Sequence, residues 1–168
     1  MHQCCAGQIT GARFQTLIYL VGTYHELQHT GAPRPDGPPA ATAEETRRRF
    51  RAYLEHKVAE LEPSLIGEEF LRSVHESTSL KSIVKCIADK FGIEHRFCDL
   101  EPVLLEPRQE DGEREANWLE RIRDRLDSTV LFVCGAKHIE SFGPLLRSSG
   151  CATDVLHECF GGEIYPEE

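Results

Sequence analysis

Residues 17–25 read LIYLVGTYH, and residues 130–138 repeat the same pattern as VLFVCGAKH. In each segment an apolar run is followed by Gly, two further residues and His. Continuous apolar runs of this length are typical of fully buried strands. We predict that the glycine lets the chain turn sharply where the strand ends. His25 and His138 would then stand just beyond the carboxyl ends of two strands, where open parallel α/β sheets place their sites.

Strands and helices alternate along the rest of the chain, which predicts a parallel sheet with right-handed crossovers. The expected fold is a single Rossmann-like α/β domain, with a mostly parallel sheet of about five strands flanked by helices. The predicted strands are Phe14–Gly22, Ser64–Glu69, Ile93–Leu100, Val130–Cys134 and Thr153–Cys159. The predicted helices are Ala43–Leu61, Phe70–Val74, Leu80–Phe91, Arg114–Leu126 and Ile139–Ser148.

Helix boundaries are marked by capping residues. Thr42 is the expected N-cap of the first long helix, which Pro63 ends, and Gly92 is the expected C-cap of the helix before the third strand. We predict one domain over residues 1–168, with residues 1–12 flexible. The prolines and glycines of residues 30–42 and the acidic, proline-containing residues 101–112 predict loops.

Composition excludes several classes of partner. The 168 residues carry a net charge of −9, which argues against nucleic acid and acidic membranes because both require a basic face. No apolar stretch is long enough to span a bilayer, and the N-terminal residues lack the pattern of a signal peptide. The seven cysteines show no C-x-x-C spacing. Apart from Cys4 and Cys5 in the N-terminal segment, they are expected to be mostly buried free thiols, which favours a cytoplasmic protein.

Histidines and carboxylates follow several of the predicted strands. In a parallel sheet all these carboxyl ends lie along one rim, so the side chains have the opportunity to converge. Histidine and carboxylate together serve as ligands for a divalent metal or as acid and base catalysts. The rim candidates are His25, Glu26, Glu68, Glu69, Cys98, Asp99, Glu101, His138, His157 and Glu158.

The doubled motif also resembles a known superfamily. Gly22-Thr-Tyr-His25 and Gly135-Ala-Lys-His138, with Gly67-Glu68-Glu69 between them, resemble the TraB/TIKI/PrgY group and the related erythromycin-esterase and ChaN-like proteins. The segment that begins at Arg114 looks like the Arg-containing helix of that group, and the resemblance spans roughly residues 17–156. It implies a Rossmann-like fold and often metal-dependent hydrolysis, although some members bind haem or serve regulation.

The predicted function is therefore a metal-dependent hydrolase of an ester or amide bond in a small molecule or peptide. His25, His138 and Asp99 are the candidate ligands of Mn, Co or Zn, with Asp99 alternatively capping its loop. The metal would activate water and polarise the carbonyl group. The sequence leaves the oligomeric state open and is compatible with a homodimer.

Glu68, Glu69 and Arg114 are the candidate catalytic residues. Strand alternation turns one of the two glutamates inward and the other outward. The family analogy selects only the pair, and Glu68 is weakly favoured as the site residue. One glutamate would act as the base, and Arg114 would hold an anionic substrate or the developing oxyanion. The simpler alternative is that Arg114 merely begins a helix.

Three other interpretations stay open at this point. In the first, the two histidines only cap the following helices or bond loop carbonyls. In the second, the same rim binds a ligand or serves regulation without turnover. Finally, His25-Glu-Leu-Gln-His29 fits the H-E-x-x-H pattern of zinc peptidases, which requires a helix; the preceding strand and the following Gly31 and Pro33 argue against one.

Overall fold

A five-stranded parallel sheet organises the described part of the chain, which in this computed structural model comprises residues 16–31, 37–99 and 111–163. Every neighbouring pair of strands is parallel, so the predicted α/β class is confirmed. The expected flexible segment 1–12, Cys4, Cys5 and residues 101–110 of the acidic loop lie outside the described residues. In the order β3-β2-β4-β1-β5, the strands are β1 (Leu17–Thr23), β2 (Leu65–Glu68), β3 (Glu94–Phe97), β4 (Val130–Gly135) and β5 (Ala152–Phe160).

The two strands that carry the doubled motif are direct neighbours near the middle of the sheet. Leu20 pairs with Phe132, and Gly22 pairs with Cys134. Strand β4 is buried at every position, as its uninterrupted apolar sequence predicts. Because β1 and β4 run in the same direction and in register, the histidines that follow them leave the sheet at the same edge.

Helices cover both faces of the sheet. One apolar cluster contains Trp118, Phe132 and Phe142 and lies under the helices α4 and α5. The other contains Phe50, Ile87 and residues of β1, β2 and β4, and it lies under α1 and α3. The helices are α1 (Ala40–Leu61), α2 (Arg72–Ser77), α3 (Ile83–Phe91), α4 (Asp111–Ile122) and α5 (Ile139–Ser148).

Local capping chemistry sets some helix ends as expected and shifts others. Gly92 ends α3 with φ 68°, as predicted. Ser82 begins this helix by accepting a hydrogen bond from the Lys85 N–H at 2.9 Å. The predicted N-cap Thr42 is wrong, because α1 begins at Ala40 after Pro39. The fixed φ of proline and two helix-favouring alanines allow the earlier start.

The two motif glycines are required for space and not for a turn. Neither has a positive φ, and Gly22 lies within β1, so the chain does not turn there; after Gly135, which ends β4, a 3₁₀ turn does begin. A Cβ on Gly22 would lie 1.9 Å from the backbone oxygen of Glu158 in β5. A Cβ on Gly135 would lie 3.1 Å from Nε2 of His25 and 3.2 Å from Oε2 of Glu69. One glycine therefore admits a neighbouring strand, and the other admits the side chains of His25 and Glu69.

None of the helices in the described residues has the length and apolar character needed to cross a membrane.

Candidate functional site

Glu69, the residue directly after β2, lies at the centre of a cluster of charged side chains. Its Oε1 atom is 3.4 Å from Nε2 of His25 and 3.4 Å from Nε2 of His138. Its Oε2 atom accepts a 2.6 Å hydrogen bond from the backbone N–H of Gly135. The side chain of Glu69 is completely buried, whereas that of His25 is 52% exposed. One carboxylate thus joins a histidine at the surface to a histidine in the interior.

The two histidines occupy matching positions after their strands. His25 begins a short 3₁₀ turn after β1, and His138 ends a 3₁₀ turn after β4. Since both Nε2 atoms contact the same oxygen, they cannot be further apart than the sum of the two 3.4 Å distances. The side chains of His25 and His138 therefore do converge at this rim, although His138 is buried and His25 is the one that reaches solvent.

Arg114 on α4 supplies the positive charge of the cluster. Its guanidinium donates a short hydrogen bond to Oε1 of Glu69. It also donates to both carboxylate oxygens of Asp99, at 3.0 Å to Oδ1 and 2.9 Å to Oδ2. The indole N–H of Trp118 donates to Oδ1 of Asp99 at 3.0 Å. The predicted ligand Asp99 therefore contacts Arg114 and Trp118, and it orients the guanidinium toward Glu69.

Glu115 is a member of the site that the sequence-based prediction missed. Its Oε1 atom accepts a hydrogen bond from Nδ1 of His138 at 2.8 Å and from the hydroxyl of Ser141 at 2.5 Å. Only 3% of its side chain is exposed. The sequence does contain a signal for a buried Glu115. Residues 115, 118, 119 and 122 have the spacing of one helix face, and Glu115 is the acidic residue on this otherwise apolar face.

Burial and ion pairing act on the cluster in opposite directions. Burial alone would raise the pKa of Glu69, but contacts with His138 and His25 and the Gly135 N–H outweigh it and hold this pKa at about 2. Burial would lower the pKa of His138, but the contact with Glu69 and the hydrogen bond to Glu115 raise it above its usual value. Glu69 is therefore ionised at neutral pH, and the carboxylates favour the protonated form of His138.

Glu68 lies on the opposite face of the sheet from Glu69. Its Oε1 atom accepts a hydrogen bond from the Ser82 hydroxyl at 2.6 Å and lies 2.7 Å from Nε2 of His95. These contacts connect β2 to the start of α3 and to the edge strand β3. The sequence weakly favours Glu68, but the glutamate that contacts His25 and His138 is Glu69. Glu68 has the contacts of a structural residue.

Two other rim candidates, His157 and Cys98, have surroundings that do not include the cluster. His157 on β5 packs against the ring of Tyr53 on α1, with centroids 5.8 Å apart. The thiol of Cys98 is buried, which raises its pKa to about 12 and makes it a poor nucleophile. Glu101 lies outside the described residues.

The zinc-peptidase pattern around His25 does not form a helix. Only His25–Leu27 form a 3₁₀ turn, and His29 makes an isolated bridge with Ser82. Nδ1 of His29 accepts a hydrogen bond from the Gly31 N–H at 3.1 Å. His25 and His29 are therefore not one α-helical turn apart, as that pattern requires.

The side chains as arranged do not match a metal site. Within residues 16–31, 37–99 and 111–163, no group of three or more His, Cys, Asp or Glu side chains is positioned to hold a metal ion. The guanidinium of Arg114 donates to the same Glu69 oxygen that faces both histidines. A metal ion bound by His25, Glu69 and His138 would have to displace the Arg114 guanidinium from Oε1 of Glu69. Metal binding therefore stays a prediction, and the catalytic steps proposed for this site do not depend on it.

Comparison with known proteins adds no further constraint. The chain matches no protein-family model, and neither the curated proteins nor the solved structures show a significant match. The resemblance to the TraB/TIKI/PrgY superfamily therefore stays a prediction carried by the two Gly-x-x-His motifs.

Glu115→Gln should lower the pKa of His138 without unfolding the protein. The substitution keeps the shape of the side chain but removes the carboxylate that stabilises the imidazolium through Nδ1. The measurement is an NMR titration of the histidine Cε1 protons. Glu113→Gln removes an exposed charge from the same helix and should leave the titration unchanged. A His138 pKa that is the same in both variants would contradict the assigned role of Glu115.

Proposed function

We propose that the protein is a hydrolase that cleaves an ester or amide bond of a small molecule or peptide at the cluster of His25, Glu69, His138 and Arg114. The observation that carries this proposal is the pairing of a buried, ionised carboxylate with a half-exposed imidazole. The Glu69 side chain has no exposed surface, and His25 reaches solvent beside it. A carboxylate–histidine pair of this kind is suited to general base catalysis.

His25 is the proposed base. Because Glu69 is ionised, it acts as an acceptor and favours the His25 tautomer with hydrogen on Nε2, the atom 3.4 Å from Oε1. The lone pair is then on Nδ1, which takes a proton from the attacking water. Glu69 stabilises the resulting imidazolium, as carboxylates do in other histidine-containing catalytic sites.

Arg114 and His138 have different proposed tasks. Arg114 holds a permanent positive charge within the cluster and is partly exposed, which suits it to stabilise the oxyanion that forms at the carbonyl carbon. His138 is almost fully buried, with 1% of its side chain exposed, and it does not reach substrate. It is a positioning residue that keeps Glu69 ionised and oriented, supported in turn by Glu115.

The test is hydrolysis of a panel of esters, lactones and amides, measured with EDTA and separately with added Mn, Co or Zn. Turnover in EDTA would support the acid–base mechanism, while turnover that needs a metal would support the cofactor predicted from the sequence. Elemental analysis of the purified protein gives an independent measure of bound metal. Absence of turnover throughout the panel would favour the alternative, a ligand-binding or regulatory protein.

His25→Ala and His29→Ala distinguish the proposed site from the zinc-peptidase alternative. We expect His25→Ala to reduce turnover by at least about 100-fold, because it removes the base. His29→Ala should keep nearly normal turnover, since His29 bonds Gly31 and not the cluster. Initial rates and thermal unfolding would be compared for both variants. Equal losses of turnover in folded protein would favour a shared role for the two histidines.

A further inference from the structure

A cleft of about 270 Å³ lies beside the cluster and shares Asp99 with it. The described residues that line it are Arg72, Phe97, Asp99 and Arg121. Arg72 is the first residue of α2, and Phe97 ends the edge strand β3. The cleft therefore opens on the same rim as the cluster, next to the strand that precedes Glu69.

Asp99 is the carboxylate among the described residues that line the cleft, and its printed partners lie in α4. Both of its oxygens accept hydrogen bonds from Arg114, and Oδ1 also accepts one from the indole of Trp118. Within the described residues, neither Arg72 nor Arg121 forms an ion pair with Asp99.

The two cleft arginines have no carboxylate partner within the described ranges. The guanidinium of Arg121 makes a weak 3.5 Å contact with the backbone oxygen of Phe97, and Arg72 forms no side-chain hydrogen bond or ion pair with a described residue. Most other arginines of the described chain are paired, for example Arg48 with Glu45 and Arg123 with Glu120. In a chain with net charge −9, it is notable that two guanidinium groups without a carboxylate partner among the described residues line the same cleft.

We propose that this cleft binds an anionic group of the substrate, a carboxylate or a phosphate, between Arg72 and Arg121. Guanidinium groups match the oxygen geometry of both anions and can each donate two parallel hydrogen bonds. The ring of Phe97 supplies an apolar wall for the carbon skeleton. The assignment of this anion to a substrate rests on the proposed hydrolase function. Binding of the anion itself can be tested without turnover.

The position of the cleft also limits the size of the substrate. Asp99 lines the cleft and accepts hydrogen bonds from Arg114, which in turn donates to Glu69 in the cluster. When its anionic group occupies the cleft, a substrate would therefore place at the cluster a bond that is only a few atoms from that group. The preferred substrates are small acidic esters or amides in which a short chain separates the anion from the scissile carbonyl.

The test measures binding of inorganic phosphate and of succinate by NMR titration, with succinamide as the uncharged control. We expect saturable binding of at least one anion, and none of succinamide. Arg72→Gln and Arg121→Gln should each weaken this binding by about tenfold, the effect of losing one charge-assisted hydrogen bond. Arg123→Gln removes an equal charge from an exposed arginine paired with Glu120, and it should leave the affinity unchanged.

A further variant separates this proposal from the hydrolase function. His25→Ala should bind the anion as tightly as the unchanged protein, because His25 does not line the cleft. Anion binding that is retained in an inactive protein would support the cleft even if no substrate were hydrolysed. The proposal is overturned if neither anion binds saturably, or if Arg123→Gln weakens binding as much as Arg72→Gln and Arg121→Gln do.

Discussion

Glu69→Gln should reduce hydrolysis by about two to three orders of magnitude, whereas the neighbouring Glu68→Gln should leave the rate close to normal. Glutamine keeps the shape of Glu69 but removes the charge that stabilises protonated His25 and His138, and general base assistance is worth this much in rate. Glu68 is equally buried but contacts Ser82 and His95 on the other face of the sheet. The measurement is kcat/KM for the best substrate of the panel.

The two variants should also differ in stability. Glu68→Gln weakens hydrogen bonds that connect β2 to α3 and β3, so we expect a loss of about 1–3 kcal/mol in the free energy of unfolding. For Glu69, the contribution of its low pKa to stability is present above the ordinary carboxyl range and is lost as the pH falls toward 2. In Glu69→Gln the free energy of unfolding should therefore fall less steeply as the pH is lowered through the acid range. Loss of activity in Glu68→Gln at normal stability would contradict the assignment.

Gly22→Ala should destabilise the protein by about 3 kcal/mol or more, a large fraction of an ordinary native stability of about 5–15 kcal/mol. The new Cβ would lie 1.9 Å from the Glu158 oxygen and 2.7 Å from a side-chain carbon of Ile139. The first contact is with backbone, so β5 would have to move away from β1. Urea unfolding followed by circular dichroism measures the change.

Two other glycines serve as comparisons. A Cβ on Gly112 in α4 would meet nothing within 4 Å, so Gly112→Ala should leave stability unchanged or raise it by up to about 1 kcal/mol. A Cβ on Gly135 would press on His25 and Glu69, which are side chains and can shift. Gly135→Ala should therefore lose activity more than stability. Similar stability for Gly22→Ala and Gly112→Ala would contradict the packing argument.

The fold class was predictable because it depends on local patterns. The apolar runs of β1 and β4 indicate buried strands whatever surrounds them, and alternation with amphipathic helices implies a parallel sheet. The C-cap at Gly92 was predictable for the same reason, since a left-handed residue after an apolar helical stripe is a local requirement. The start of α1 was not predictable in this way, because a helix can begin acceptably after either Pro39 or Thr42.

The candidate site was predictable only in outline. The doubled Gly-x-x-His pattern placed His25 and His138 at one rim, because strands that run in parallel end at the same edge. The period of a strand requires Glu68 and Glu69 to face opposite sides, but it does not say which side faces the histidines. That choice follows from the position of α4, which brings Arg114 and Glu115 to the face occupied by Glu69.

By itself, therefore, the sequence determined the strands, their common direction and the two histidines at their ends. Only the tertiary structure decided which carboxylate they share, that Asp99 pairs with Arg114, and that Gly135 leaves room for His25 and Glu69. The physical reason is how far apart in the chain the interacting residues lie. Burial patterns and caps depend on residues a few positions apart, whereas the charges of the site come from segments far apart in the chain. Their interactions depend on how the helices pack over the sheet, which no local pattern specifies.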